Sequence, residues 1–152
     1  MSAAITLSTY LAASPQAIFE ALTRADGLAS FWTPDVEVGQ GVGSVAVFGF
    51  GQTQLKMRID YLAKGHSVRW TCVNDFPMEP HCWEGTTVSW ELEPDGSAGT
   101  TVRLEHSNWP KSLPRRELGS TAFNWALILR QLKSYAETGK SEPVFGKPAA
   151  MA

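Results

Sequence analysis

The chain has 152 residues, with 13 Lys and Arg against 15 Asp and Glu, a formal net charge of -2, 43% hydrophobic residues and 18% charged ones. That length suits one domain around a single core, the composition is globular rather than disordered, and the charge balance leaves no electrostatic footprint for nucleic acid or anionic membrane. No stretch approaches the roughly 20 apolar residues of a spanning helix, and MSAAITLSTYLAASP lacks the basic start and apolar run of a signal peptide, so a soluble cytoplasmic protein is expected.

Residues 4–10, AITLSTY, read as a short strand with Ile5 and Leu7 on one face. Ser14-Pro15 then announces a helix, since a serine hydroxyl accepts an orphan backbone N–H and proline is tolerated at the first helical position. Ile18, Phe19 and Leu22 give it an apolar stripe that runs to about Arg24. Asp26 is expected to cap a second short helix, GLASFW, which must stop before Thr33-Pro34 because the residue preceding proline avoids the helical region.

From residue 36 to about residue 107 the signals are those of strands and turns. VEVG, SVAVFGF, TQLKMRIDYL, SVRWTCV, WEGTTVSWELE and TTVRLEHS are separated by connections punctuated by glycine, among them PDGSAG from Pro94 to Gly99, and by one longer interruption, NDFPMEPHC at residues 74–82, with two prolines. Such short links require antiparallel neighbours. Leu55, Met57, Ile59 and Tyr61 are expected on one face against Lys56, Arg58 and Asp60 on the other. Val68, Trp70 and Cys72 make a similar inner row, as do Val88, Trp90 and Leu92, and Val102, Leu104 and His106. One face is therefore wet and the other covered. Glycines 43, 49, 51 and 85 are the expected places for bends or bulges.

The cover is a helix from Glu117 to Thr138, whose stripe is Leu118, Ala122, Trp125, Leu129, Leu132 and Ala136, with Gly139 as its stop. The whole is an α+β domain over residues 1–140, a curved antiparallel sheet of about seven strands wrapped around the last helix, with a loose tail at 141–152. A sheet curling around a helix need not close at both ends, so a cavity between them is expected.

Ser14-Pro15, Ile18-Phe19, Ala21-Leu22-Thr23, Phe31-Trp32, Trp70, Trp83-Glu84-Gly85-Thr86, Gly99-Thr100 through His106, Trp125, and Leu132 through Gly139 carry a family resemblance in their order and spacing. They resemble the SRPBCC superfamily, and within it the single-domain proteins similar to the C-terminal domain of the activator of heat-shock-protein-90 ATPase. The resemblance implies the helix-grip fold of START domains and the birch pollen allergen, with an apolar cavity between sheet and long helix. Relatives by fold include lipid carriers, hormone receptors, polyketide cyclases and co-chaperones, and fold alone does not choose among them. The activator proper is a two-domain co-chaperone, whereas this chain is expected to hold the helix-grip module alone. The fold and cavity are carried over, and a chaperone partner is not.

Candidate walls of an apolar pocket are Phe48, Met57, Trp70, Trp90, Trp125 and Leu129, with Cys72 and His106 as polar points among them and Trp32 and Trp83 at its rim. The competing reading is that the same side chains simply fill a core. His106 could donate to a ligand carbonyl or relay a proton, or it could bond to the backbone at the strand end, and the structural role is favoured because no acid adjoins it in sequence. Cys72, Cys82, His66 and His81 lack the paired spacing of a zinc site, so no metal is expected. Asp75, Glu79 and Glu84 read as solvated loop acids, and no nucleophile elbow or phosphate loop occurs. No catalytic residue or cofactor is assigned. The expected partner is a small apolar molecule, aromatic or lipid-like. A cyclase-like or dehydratase-like enzyme using the same cavity, a module touching a chaperone and a homodimer remain as alternatives.

Overall fold

The computed structural model describes residues 4–50, 53–73, 83–110 and 115–145. Strand β1 (Ile5–Leu11) leads into helices α1 (Pro15–Thr23) and α2 (Ala25–Phe31). Strands β2 (Val36–Val38), β3 (Val45–Phe50), β4 (Thr53–Ala63), β5 (Ser67–Cys72), β6 (Thr87–Asp95) and β7 (Gly99–Ser107) follow, and helix α3 (Arg115–Thr138) comes last. All strands belong to one antiparallel sheet in the order β1-β7-β6-β5-β4-β3-β2. β1 and β2 are thus the two edges, and the α1–α2 connection carries the chain from one to the other.

The inner rows expected from alternation line up across the sheet. Trp90 lies opposite both Leu104 and Val68, Val88 opposite His106, and Ile59 opposite Trp70. All of these side chains are buried, together with Trp125, Ile128, Leu129 and Leu132 of α3. In β3, whose two faces are both apolar in sequence, the buried residues Ala46 and Phe48 lie opposite Met57 and Leu55 and so join the inner face.

Ser14 caps α1 as expected, its hydroxyl accepting from the Ala17 N–H at 3.1 Å. The cap of α2 differs. Arg24, in extended conformation, ends α1 and starts α2, so Asp26 lies inside the first turn and accepts from the Gly27 N–H at 3.0 Å. A one-residue joint leaves no room for a separate capping residue. It also presses the two helices together: a Cβ built on Gly27 would lie 2.5 Å from the Ala21 carbonyl oxygen and 2.7 Å from its Cα. Gly27→Ala is therefore expected to lower stability by about 1–3 kcal/mol, because backbone cannot yield as a flexible side chain would. Urea unfolding of the variant measures this, and an unchanged midpoint would show that the joint is loose.

The sequence pattern fails at two places, each for a local reason. In β4 the register shifts between Ile59 and Tyr61. The extra residue rotates the following side chains, so Tyr61 is 45% exposed rather than inward, with the Arg69 guanidinium 5.4 Å from its ring centroid. This bulge falls at Asp60, while Gly43 and Gly85 make bends of the expected kind, in turns with positive φ, and Gly51 lies outside the described residues. Trp83–Gly85 form a turn, closed by the Thr86 N–H donating to the Trp83 carbonyl at 2.9 Å, and β6 begins only at Thr87. The chain just after α3 is held against α2. The Val144 and Phe145 N–H groups donate to the carbonyls of Phe31 and Trp32, at 3.3 and 2.9 Å. Gly139 ends α3 with positive φ as expected.

Candidate functional site

The inner rows of β3, β5 and β6 meet the end of α2 and the middle of α3 in a cluster of aromatic rings. Four tryptophans form a closed circuit. Trp32 stacks towards Trp70 at 6.1 Å between ring centroids, Trp70 meets Trp90 edge-on at 5.9 Å, Trp90 meets Trp125 at 5.6 Å, and Trp125 returns to Trp32 at 5.1 Å. Phe48 lies against both Trp32, at 4.5 Å, and Trp70, at 5.9 Å. Such offset and edge-to-face contacts are the favourable arrangements for aromatic quadrupoles. Met57 and the Cys72 thiol are buried in the same core.

The two rim candidates part company. Trp83 is half-buried, stacked on Trp125 at 5.7 Å, and keeps some solvent contact. Trp32 is only 1% exposed and belongs to the interior, because the end of α2 turns its indole down onto Phe48. Both Trp32 and Trp90 bury an indole N–H that has no acceptor among the described residues. An indole N–H can only donate, and a donor buried without a partner costs about 1–3 kcal/mol.

His106 is fully satisfied. The Trp125 indole N–H donates to Nδ1 at 3.0 Å, which makes Nδ1 an acceptor and places the ring proton on Nε2. Nε2 then donates to the Thr86 hydroxyl at 2.8 Å, and that hydroxyl donates to the Trp83 carbonyl at 2.6 Å. The His106 carbonyl accepts from the Trp109 indole at 2.8 Å, and the Trp109 ring lies 4.1 Å from the imidazole. With 0% exposure, burial pushes the imidazole down to about 3, so it is neutral near pH 7. Neither nitrogen is left to move a proton, and the histidine works as a strut between β7, α3 and the turn before β6. Sequence reasoning missed Thr86 and Trp109. The only local hint is that each sits at an end of the β6–β7 pair, where Thr87 faces Ser107.

A groove of about 300 Å³ opens elsewhere, between β1 and α3, lined by Leu7, Ser8, Thr9, Ala126, Leu129, Arg130 and Lys133. Leu129 alone of the candidate pocket residues borders it. Among the described residues no three His, Cys, Asp or Glu side chains gather as metal ligands would, and no helix is long and apolar enough to cross a membrane. His81, Cys82, Asp75 and Glu79 lie outside the described residues, and Glu84 is exposed.

Comparison with known proteins settles the family. The family described as Activator of Hsp90 ATPase homolog 1-like protein matches residues 12–137. The chain belongs to that family. Among solved structures, this member of the Hsp90 ATPase activator-like family is similar to the Aha1 dimer from Colwellia psychrerythraea, with 32% identity, a TM-score of 0.80, and coverage of 91% of this chain and 99% of that one. Protein MLL2253 from Mesorhizobium loti has 14% identity and a TM-score of 0.73, with 87% of this chain and 95% of that one covered. CalU16 from Micromonospora echinospora has 15% identity and a TM-score of 0.72, covering 93% and 78%. These last two likenesses speak for the helix-grip fold alone. No curated protein matches the chain.

Proposed function

We propose that this protein binds a small apolar or aromatic molecule among the rings between the sheet and α3. The observation that carries the reading is the pair of buried indole donors, Trp32 Nε1 and Trp90 Nε1, neither with an acceptor among the described residues. A guest bearing a carbonyl or ether oxygen would accept from one of them and present apolar surface to Phe48, Trp70 and Trp125. Trp83, half-exposed against Trp125, marks the side from which such a guest arrives. Burial of about 200 Å² of apolar guest surface would contribute roughly 5 kcal/mol before the cost of parting the rings. Family membership supports the same reading, since the helix-grip architecture brings a curved sheet against a long helix. An enzymatic use of such a binding site loses its best candidate base, because both nitrogens of His106 are occupied, and a chaperone partner forms no part of the proposal.

Native mass spectrometry of freshly purified protein is expected to show a retained small molecule above the 16.6 kDa chain, released on denaturation. Titration with menadione, flavone and 2-acetylnaphthalene is expected to quench tryptophan fluorescence, with Trp90→Phe binding the responding compound about tenfold more weakly. A bare chain mass together with fluorescence indifferent to all three probes would overturn the reading.

A further inference from the structure

β1 is an edge of the sheet, so every second residue turns its backbone N–H and C=O away from β7. Two of these outward groups are met by side chains of α3. Lys133 Nζ donates to the Tyr10 carbonyl at 3.0 Å, and the Ala12 N–H donates to Glu137 Oε2 at 2.7 Å. Lys133 and Glu137 thereby do for the end of β1 what a neighbouring strand would do. By the same parity Ser8 and Thr6 also present their backbone groups outward, and among the described residues no α3 side chain meets them. Strand and helix run alongside each other in the same direction: five residues from Leu7 to Ala12 advance about 16 Å, and so do the eleven from Ala126 to Glu137. The groove lies just before the Lys133–Glu137 clamp, with an unpaired strand edge on one side and a helix on the other.

The geometry points to this groove as the docking site of an extended, acidic peptide segment of another protein, added to β1 as a further strand. Such strand addition uses main-chain hydrogen bonds for affinity and side-chain pockets for selectivity. The Ser8 and Thr6 backbone supplies the first. Leu7, Ala126 and Leu129 form an apolar floor for one peptide side chain. Phe123, 65% exposed and three residues before Ala126 on the helix, extends that apolar strip along α3. Selectivity for a carboxylate comes from Arg130. Lys133 is neutralised by Glu137 at 2.7 Å, whereas Arg130 has no ion pair among the described residues and leaves the groove with a net positive charge. A guanidinium takes a carboxylate through two parallel hydrogen bonds, which suits an Asp or Glu side chain on the incoming strand.

The test is selection of random octapeptides displayed on phage against the intact protein, followed by fluorescence anisotropy with synthetic copies of the recovered sequences. Enrichment of alternating apolar sequences containing Asp or Glu is expected. Arg130→Glu, an exposed helix position that should not disturb folding, is expected to weaken their binding about tenfold or more. N-methylation of alternate peptide nitrogens is expected to abolish binding in one parity and spare it in the other, which reads strand pairing without altering the protein. Failure to enrich any acidic apolar set, equal binding to Arg130→Glu, or indifference to N-methylation would each overturn the proposal. So would a dimer in sedimentation that Ser8→Pro dissociates, because a second copy of the chain would then own the edge.

Discussion

Acidification from about pH 7.5 to pH 4 is expected to remove about 3 kcal/mol of stability through His106 alone, approaching 5 kcal/mol below about pH 3. The imidazole has an ordinary value of 6.5 and is pushed down to about 3 by burial. Above pH 6.5 it is neutral in both folded and unfolded chains and contributes no pH dependence. As the pH falls below 6.5 the unfolded chain binds a proton that the folded one refuses, so stability declines until the folded state also titrates near 3. Burial sets that direction, and the hydrogen bonds agree with it, since protonating Nδ1 would set an N–H against the Trp125 indole N–H. Glu137 is held below the usual carboxylate range by the Ala12 N–H and Lys133, and it adds a loss of the same sign at the acid end.

Urea midpoints measured across that range separate the contributions. His106→Gln removes the titrating ring and is expected to flatten the slope between about pH 6.5 and 4, whatever it does to stability at neutral pH. Thr86→Val is the useful contrast. It strands the His106 Nε2–H, at a cost of about 1–3 kcal/mol, while the Trp83 carbonyl still accepts from the backbone N–H of residue 86, and it keeps the imidazole buried and so keeps the slope. A His106→Gln protein with the slope of the parent would mean that acid stability is set elsewhere.

How far these features are legible in sequence depends on whether their cause is local. The β6–β7 pair is legible because a period of two and the PDGSAG turn fix both faces and register, and Trp90 stands opposite Leu104 as the alternation requires. The α3 stripe is legible for the same reason at helical spacing, although Ile128, outside the expected stripe, is buried as well. The bulge at Asp60 is not, since nothing in TQLKMRIDYL distinguishes the residue that drops out of register, and the cost of the error is Tyr61 on the wrong face. The partners of His106 are harder still. Alternation places the imidazole indoors, but only the meeting of β7, α3 and the turn before β6 decides that Trp125 and Thr86 reach its two nitrogens. The groove between β1 and α3 is invisible locally, because it exists only once β1 becomes an edge, which is a property of the whole sheet order.

Trp90 allows the strain of an orphaned donor to be separated from the value of a packed ring. Trp90→Ala is expected to cost about 3–5 kcal/mol, because a ring in contact with both Trp70 and Trp125 leaves a cavity that the rigid neighbours cannot close. Trp90→Phe also loses volume, but it removes an N–H whose burial without an acceptor costs about 1–3 kcal/mol, so the two effects oppose and the net loss should stay below about 1.5 kcal/mol. The gap between the two variants, read from urea unfolding in guest-free protein, therefore measures more than ring size. Occupancy by a guest that accepts from the indole should widen the deficit of the phenylalanine variant, since the parent alone gains the hydrogen bond. If instead phenylalanine proves as damaging as alanine in the empty protein, the Trp90 N–H has a partner after all, and the strongest support for a guest among these rings falls away.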